Sequence, residues 1–136
     1  MNHRDLEIRS PEFWVTEKIL GACIAVHRSL GPGLLESAYE ECLCWELSQR
    51  EIAFERQVPL PVRYGDVALD CGYRLDLVIE GSVVLELKAV EQFAPLHLAQ
   101  VLTYLKLGGY QTGLLINFNV TSLRQGIKRV SQQKTS

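Results

Sequence analysis

Arg74-Leu-Asp-Leu-Val-Ile-Glu-Gly-Ser-Val-Val-Leu-Glu-Leu-Lys88 decides how this chain is read. Two runs alternate with the strand period of two, and Glu80-Gly81-Ser82 between them has the composition of a tight hairpin turn. Leu75, Leu77 and Ile79 share one face of the first run, and Val83, Leu85 and Leu87 one face of the second. Asp76, Glu86 and Lys88 fall on the other faces. Counting back from a turn centred on Gly81 sets Asp76 opposite Glu86, so the spacing predicts neighbouring carboxylates across the ladder. Such a pair is costly: like charges opposite one another destabilise a sheet, and the idealised penalty for burying one carboxylate is ~20 kcal/mol. A divalent cation would turn the repulsion into ligation. An all-oxygen donor set suits Mg²⁺, with Mn²⁺ as a substitute, completed by waters and substrate phosphates. Lys88, two residues beyond Glu86, is then placed to steady a water or the charge developing on a phosphate. The plain alternative is an exposed hairpin face on which Lys88 pairs with Glu86 or Asp76.

Around this hairpin, 136 residues, 47% hydrophobic and 22% charged, describe one globular domain over 1–136 with tails at 1–11 and 131–136. No apolar run approaches the ~20 residues of a membrane helix, and the first residues lack a secretory apolar stretch, so a cytoplasmic protein is expected. Cys23, Cys42, Cys44 and Cys71 have no metal-ligand spacing and are expected to be reduced and largely buried, with no disulfide and no zinc. The net charge of −2 argues against a surface that grips nucleic acid by charge alone. The charge is uneven, however. Beyond Thr121 come Arg124, Lys128, Arg129 and Lys134 with no acid, so Lys128 and Arg129 are candidate phosphate contacts on a mildly basic strip.

Periodicity predicts a helix over 12–30, stopped by Gly31-Pro32-Gly33, and a second over 34–50. A first strand is expected at 52–62, with Pro59 and Pro61 marking an edge or a bend. The hairpin supplies the next two strands. A third helix is expected at 95–107, followed by a buried strand at 113–118 running parallel to a neighbour. After Asn119 the pattern permits either a short helix or a strand. This order predicts an α/β fold, with a mixed central β-sheet flanked by helices on both faces.

Two further groups stand out. Glu36 sits in the first turn of the second helix and shares a face with Tyr39 and Glu40. An acid there also simply favours the helix dipole by ~0.3–1 kcal/mol, and Tyr39 equally suits a core aromatic. Gln100 and Tyr104 lie four apart on the third helix, with His97 on the same side. That stripe suits either a solvated face or a group over the hairpin. An imidazole can exchange a proton near neutral pH, so His97 is a secondary candidate for a general base, ranked below a water activated by the cation.

The stretch Val26-His27-Arg28-Ser29-Leu30-Gly31-Pro32-Gly33-Leu34-Leu35-Glu36-Ser37-Ala38-Tyr39 resembles the signature of the GxxExxY proteins, a family placed in the PD-(D/E)XK nuclease superfamily. The likeness continues through Asp76, Glu86-Leu87-Lys88, the block from His97 to Tyr104 and the strand at 113–118, covering about 12–130 in order. It implies a restriction-endonuclease-like core. It also implies that Asp76, Glu86 and the Leu87 carbonyl, helped by Glu36, hold a catalytic cation, with Lys88 assisting hydrolysis. Gln100 and Tyr104 resemble the Gln-x-x-x-Tyr element of RecB-like nucleases and would lie near the substrate backbone. Leu75 stands where many relatives have proline before the Asp, a half of the motif that is loose across the superfamily. The expectation is a Mg²⁺-dependent nuclease that attacks phosphodiesters of nucleic acid, DNA rather than RNA, with activated water, aided by a homodimer or partner protein. The alternatives are a non-cleaving nucleic-acid- or protein-binding module and a hydrolase of another phosphate ester.

Overall fold

The computed structural model describes residues 10–132. Helix α1 (Pro11–Leu30) begins where Ser10 caps it, its hydroxyl accepting from the Phe13 N–H at 3.4 Å, with Pro11 preset for the first turn. Its buried face carries Val15, Ile19, Ala22, Cys23 and Val26 at helical spacing. Gly31, at φ 70°, ends it by returning its N–H to the His27 carbonyl. Helix α2 (Glu36–Gln49) follows and packs against α1.

Seven strands follow: β1 (Phe54–Pro59), β2 (Val62–Tyr64), β3 (Val67–Leu69), β4 (Arg74–Ile79), β5 (Val83–Lys88), β6 (Thr112–Asn117) and β7 (Ile127–Ser131). Helix α3 (Pro95–Gly108) joins β5 to β6, and a 3₁₀ turn (Leu123–Gly126) precedes β7. Five strands form one sheet in the order β1-β4-β5-β6-β7, in which only β5 and β6 are parallel, with α3 as their crossover. The mixed α/β fold expected from the sequence is therefore present.

The sheet separates two apolar clusters. Leu77, Ile79, Val83, Leu85 and Leu87 pack with α1 and α2, while Val78, Val84 and Leu115 pack with Val101 and Leu105 of α3. Helices thus cover both faces. The exception to the expected alternation is Leu75, which joins Leu60 in the second cluster. Across from this end of β4, β1 is distorted, with Gln57 at φ 50°.

Three expectations need correction and one open reading is resolved. The expected strand at 52–62 breaks at Leu60-Pro61, because proline cannot donate to a ladder; β2 then leaves the main sheet and pairs with β3 as a separate two-stranded ribbon. The segment after Asn119 resolves into both options at once, a 3₁₀ turn and then an edge strand. The tails are shorter than expected, since Ser10 and Pro11 open α1, Ser131 belongs to β7 and Gln132 is bonded to Gln111 and Leu105; residues 1–9 and 133–136 lie outside the described residues. Finally, Cys23 and Cys44 are buried but Cys42 and Cys71 are exposed, all four as free thiols. Among the described residues no helix is long and apolar enough to cross a membrane.

Candidate metal-binding and catalytic site

The β4–β5 ladder pairs Ile79 with Val83, Val78 with Val84 and Leu77 with Leu85, and stops there although both strands run on. The next step of this register faces Asp76 toward Glu86, as counted from the sequence. Their side chains replace the missing rungs. The Asp76 N–H donates to Glu86 Oε1 at 3.1 Å, and the Leu87 N–H donates to Asp76 Oδ2 at 2.9 Å. Each carboxylate thus accepts from the opposite strand, so both are fixed in the notch where the strands part.

Glu86 is 7% exposed, and Asp76 is half-buried. Burial first, and the neighbouring Asp76 charge second, push the Glu86 carboxyl up to about 9. Without a cation the Glu86 carboxyl therefore keeps its proton near neutral pH. Lys88 opposes the rise only weakly, and it makes no ion pair within 4 Å among the described residues. The alternative of a salt bridge from Lys88 to Glu86 or Asp76 is not what the structure contains.

The end of β5 is pinned from both sides. The Phe118 N–H donates to the Lys88 carbonyl at 2.9 Å. Asn117, 2% exposed, accepts from the Val90 N–H at 3.0 Å and donates to the Val90 carbonyl at 2.8 Å. Sequence reading passed over Asn117, although a lone amide in the apolar run Gly-Leu-Leu-Ile-Asn-Phe118 was a usable signal. Tyr39 stacks on Phe118 with ring centroids 4.5 Å apart and planes 14° apart. Its hydroxyl donates to the Gly31 carbonyl at 2.6 Å and accepts from the Leu34 N–H at 3.2 Å. Tyr39 is thus a core aromatic that ties the Gly31–Leu34 loop to the end of β5. One helical turn earlier, Glu36 is exposed in the first turn of α2 and bonded to neither acid. Among the described residues no three His, Cys, Asp or Glu side chains converge on one metal-sized point.

On α3, Gln100 donates to the Tyr104 hydroxyl at 3.1 Å, and the Tyr104 ring lies 6.1 Å from that of Tyr73. Burial raises the Tyr104 phenol, followed by the charges of Glu86, Tyr73 and Asp76, which ties this residue electrostatically to the acids. His97 has its Nδ1 committed to the Ala94 N–H at 3.0 Å, capping α3. Lys128 faces Leu115, which itself faces Glu86, so Lys128 shares their row about 10 Å from Glu86, two strand spacings away. Arg129 alternates to the opposite face of the sheet.

The donor set fits a hard divalent ion. Two carboxylates meet at one notch, one of them buried and pushed up by that burial and by its neighbour's charge, and Mg²⁺ needs no more protein ligands than one or two carboxylates. The family model of the PD-(D/E)XK nuclease superfamily matches residues 14–130. No curated protein and no solved structure gives a significant match.

Proposed function

The chain belongs to the PD-(D/E)XK nuclease superfamily, and from that premise we propose a Mg²⁺-dependent nuclease, Mn²⁺ substituting, that hydrolyses phosphodiesters of DNA in preference to RNA. The observation that carries this reading is the reciprocal locking of Asp76 and Glu86 where the β4–β5 ladder stops. In this reading Asp76, Glu86 and the Leu87 carbonyl hold the ion, and Glu36 joins through water or on a movement of the α2 N-terminus. A divalent ion bound there supplies charge neutralisation on the scissile phosphate and a lowered pKa for its water. Lys88, without an ion-pair partner among the described residues, orients the attacking oxygen and stabilises charge developing on the phosphate. Gln100 and Tyr104 position the substrate backbone, and Lys128 extends the phosphate contacts along the sheet. Arg129, on the other face, contacts substrate only where the strand wraps around β7 or a second subunit. A homodimer or partner protein supplies the further grip that a net charge of −2 withholds.

The test is a cleavage panel of single-stranded, duplex and branched DNA and of RNA with Mg²⁺ or Mn²⁺. Wild type cuts at least one member, whereas Glu86→Ala does not and Lys88→Ala does so at least about 100-fold more slowly. Cutting that survives both substitutions sinks the assignment. A non-cleaving binding module is the second reading, favoured by the lack of a third carboxylate at the notch among the described residues. It predicts binding to a panel member without hydrolysis under any divalent ion.

A further inference from the structure

Between the β2–β3 ribbon and α3 lies a cleft of about 550 Å³, walled by Arg63, Tyr64 and Tyr73 on one side and by Leu96, Gln100 and Tyr104 on the other. Tyr64 is 84% exposed, Leu96 74% and Tyr73 44%. Tyr104, bonded to Gln100 in this wall, feels the charges of Glu86 and Asp76, so the cleft lies on the same side of the sheet as the notch. We propose that the cleft seats an unpaired nucleobase, which makes single-stranded nucleic acid the substrate class of the neighbouring acids. The inference rests on the nuclease reading.

The chemistry of the walls selects that occupant. A groove that grips duplex needs several cations on phosphates, and here Arg63 is the single cation among the lining residues of a chain with net charge −2. What the walls offer instead is aromatic and aliphatic surface. Stacking on a base is independent of charge, and only an unpaired base has a face free to receive it. In a duplex those faces are covered, and the groove edges would meet a wall with one guanidinium. Gln100 gives one amide N–H to Tyr104, which leaves its other N–H and its carbonyl oxygen for a base edge. Arg63, at the rim, suits the phosphate next to the seated base.

The test uses a single-stranded oligonucleotide carrying 2-aminopurine, with the full chain in EDTA, where hydrolysis is off. Wild type quenches the fluorophore and binds the single strand at least about tenfold tighter than a duplex of the same sequence, with a shallow salt dependence. Tyr64→Ala weakens the single strand about tenfold and abolishes quenching, while Tyr64→Phe restores both. Circular dichroism confirms that the variants fold. Equal affinity for duplex, or unchanged binding and quenching in Tyr64→Ala, overturns the proposal. So does a shift in sedimentation of Tyr64→Ala from dimer to monomer, because a second copy would then fill the cleft. The two readings fail separately. Cleavage that is blind to Tyr64 removes the base seat alone, whereas stacking without cleavage of any panel member removes the hydrolytic reading alone.

Discussion

The backbone N–H of Asp76 donates to the carboxylate of Glu86, while the carboxylate of Asp76 receives the N–H of the residue after Glu86. The two acids are thus cross-linked through each other's strands in place of two ladder bonds. Their proximity is built into the sheet and does not wait for a ligand.

A pH dependence follows from that proximity. The folded Glu86 carboxyl titrates at about 9, well above the ordinary 4.5, so between these values the folded chain holds a proton that the unfolded chain has released. Stability without metal therefore falls as pH rises from about 4.5 to 9. Thermal melts in EDTA should show this decline, and Mg²⁺ should reverse it most at the alkaline end. Glu86→Gln should flatten the profile and abolish the Mg²⁺ response. A decline that persists in Glu86→Gln would assign the effect to another group.

Lys88→Ala should leave Mg²⁺ affinity within about twofold and lower kcat by about 10²–10³-fold, the scale of losing one oriented charge donor. Titration calorimetry and single-turnover cleavage separate the two effects. Loss of metal affinity in parallel with kcat would mean that Lys88 shapes the ion site instead.

Glu36 is exposed and bonded to neither acid, so Glu36→Gln should change stability by no more than about 0.5 kcal/mol. If its carboxylate is recruited with the ion, the same variant weakens Mn²⁺ binding measurably. Calorimetry showing identical isotherms for both proteins would remove Glu36 from the ligand set.

Tyr39 separates packing from hydrogen bonding. Tyr39→Phe loses the bonds to Gly31 and Leu34 and should cost about 1–2 kcal/mol, whereas Tyr39→Ala also empties the space against Phe118 and should cost about 3–5 kcal/mol. Urea melts provide both numbers. Equal costs would show that the stack contributes little.

Gly113 lets α3 approach the sheet. A Cβ there would meet Val101 Cγ1 at 3.0 Å and Leu105 Cδ2 at 3.2 Å. Gly113→Val should therefore destabilise by about 1–3 kcal/mol through overpacking. Because α3 carries Gln100 and Tyr104, KM for nucleic acid should rise with it. A variant as stable and active as wild type would show that the helix has room to spare.

The hairpin that carries the acids was legible because its turn, its alternation and its two acids lie within fifteen consecutive residues, Arg74 to Lys88, where the register follows from counting. The ribbon was not, because every residue from Arg63 to Leu69 is exposed and no buried face imposes a period. Its usable signal was Gly65-Asp66 between Tyr64 and Val67, a two-residue hairpin turn. Strand β7 was ambiguous for a different reason. Ile127 and Val130 pack on opposite faces of the sheet, yet with Leu123 they imitate the helical repeat. Tyr39 was open from sequence because a tyrosine on a mixed helix face serves a core or a site equally well, and only its stack on Phe118 decides for the core.

The β2–β3 ribbon shares no rung with the five-stranded sheet. Residues can be added or exchanged around Gly65-Asp66 without shifting Asp76 or Glu86 by a single position. Ribbon and acid notch are therefore separable modules, and a graft of another loop at that turn would test how far one can be changed without the other.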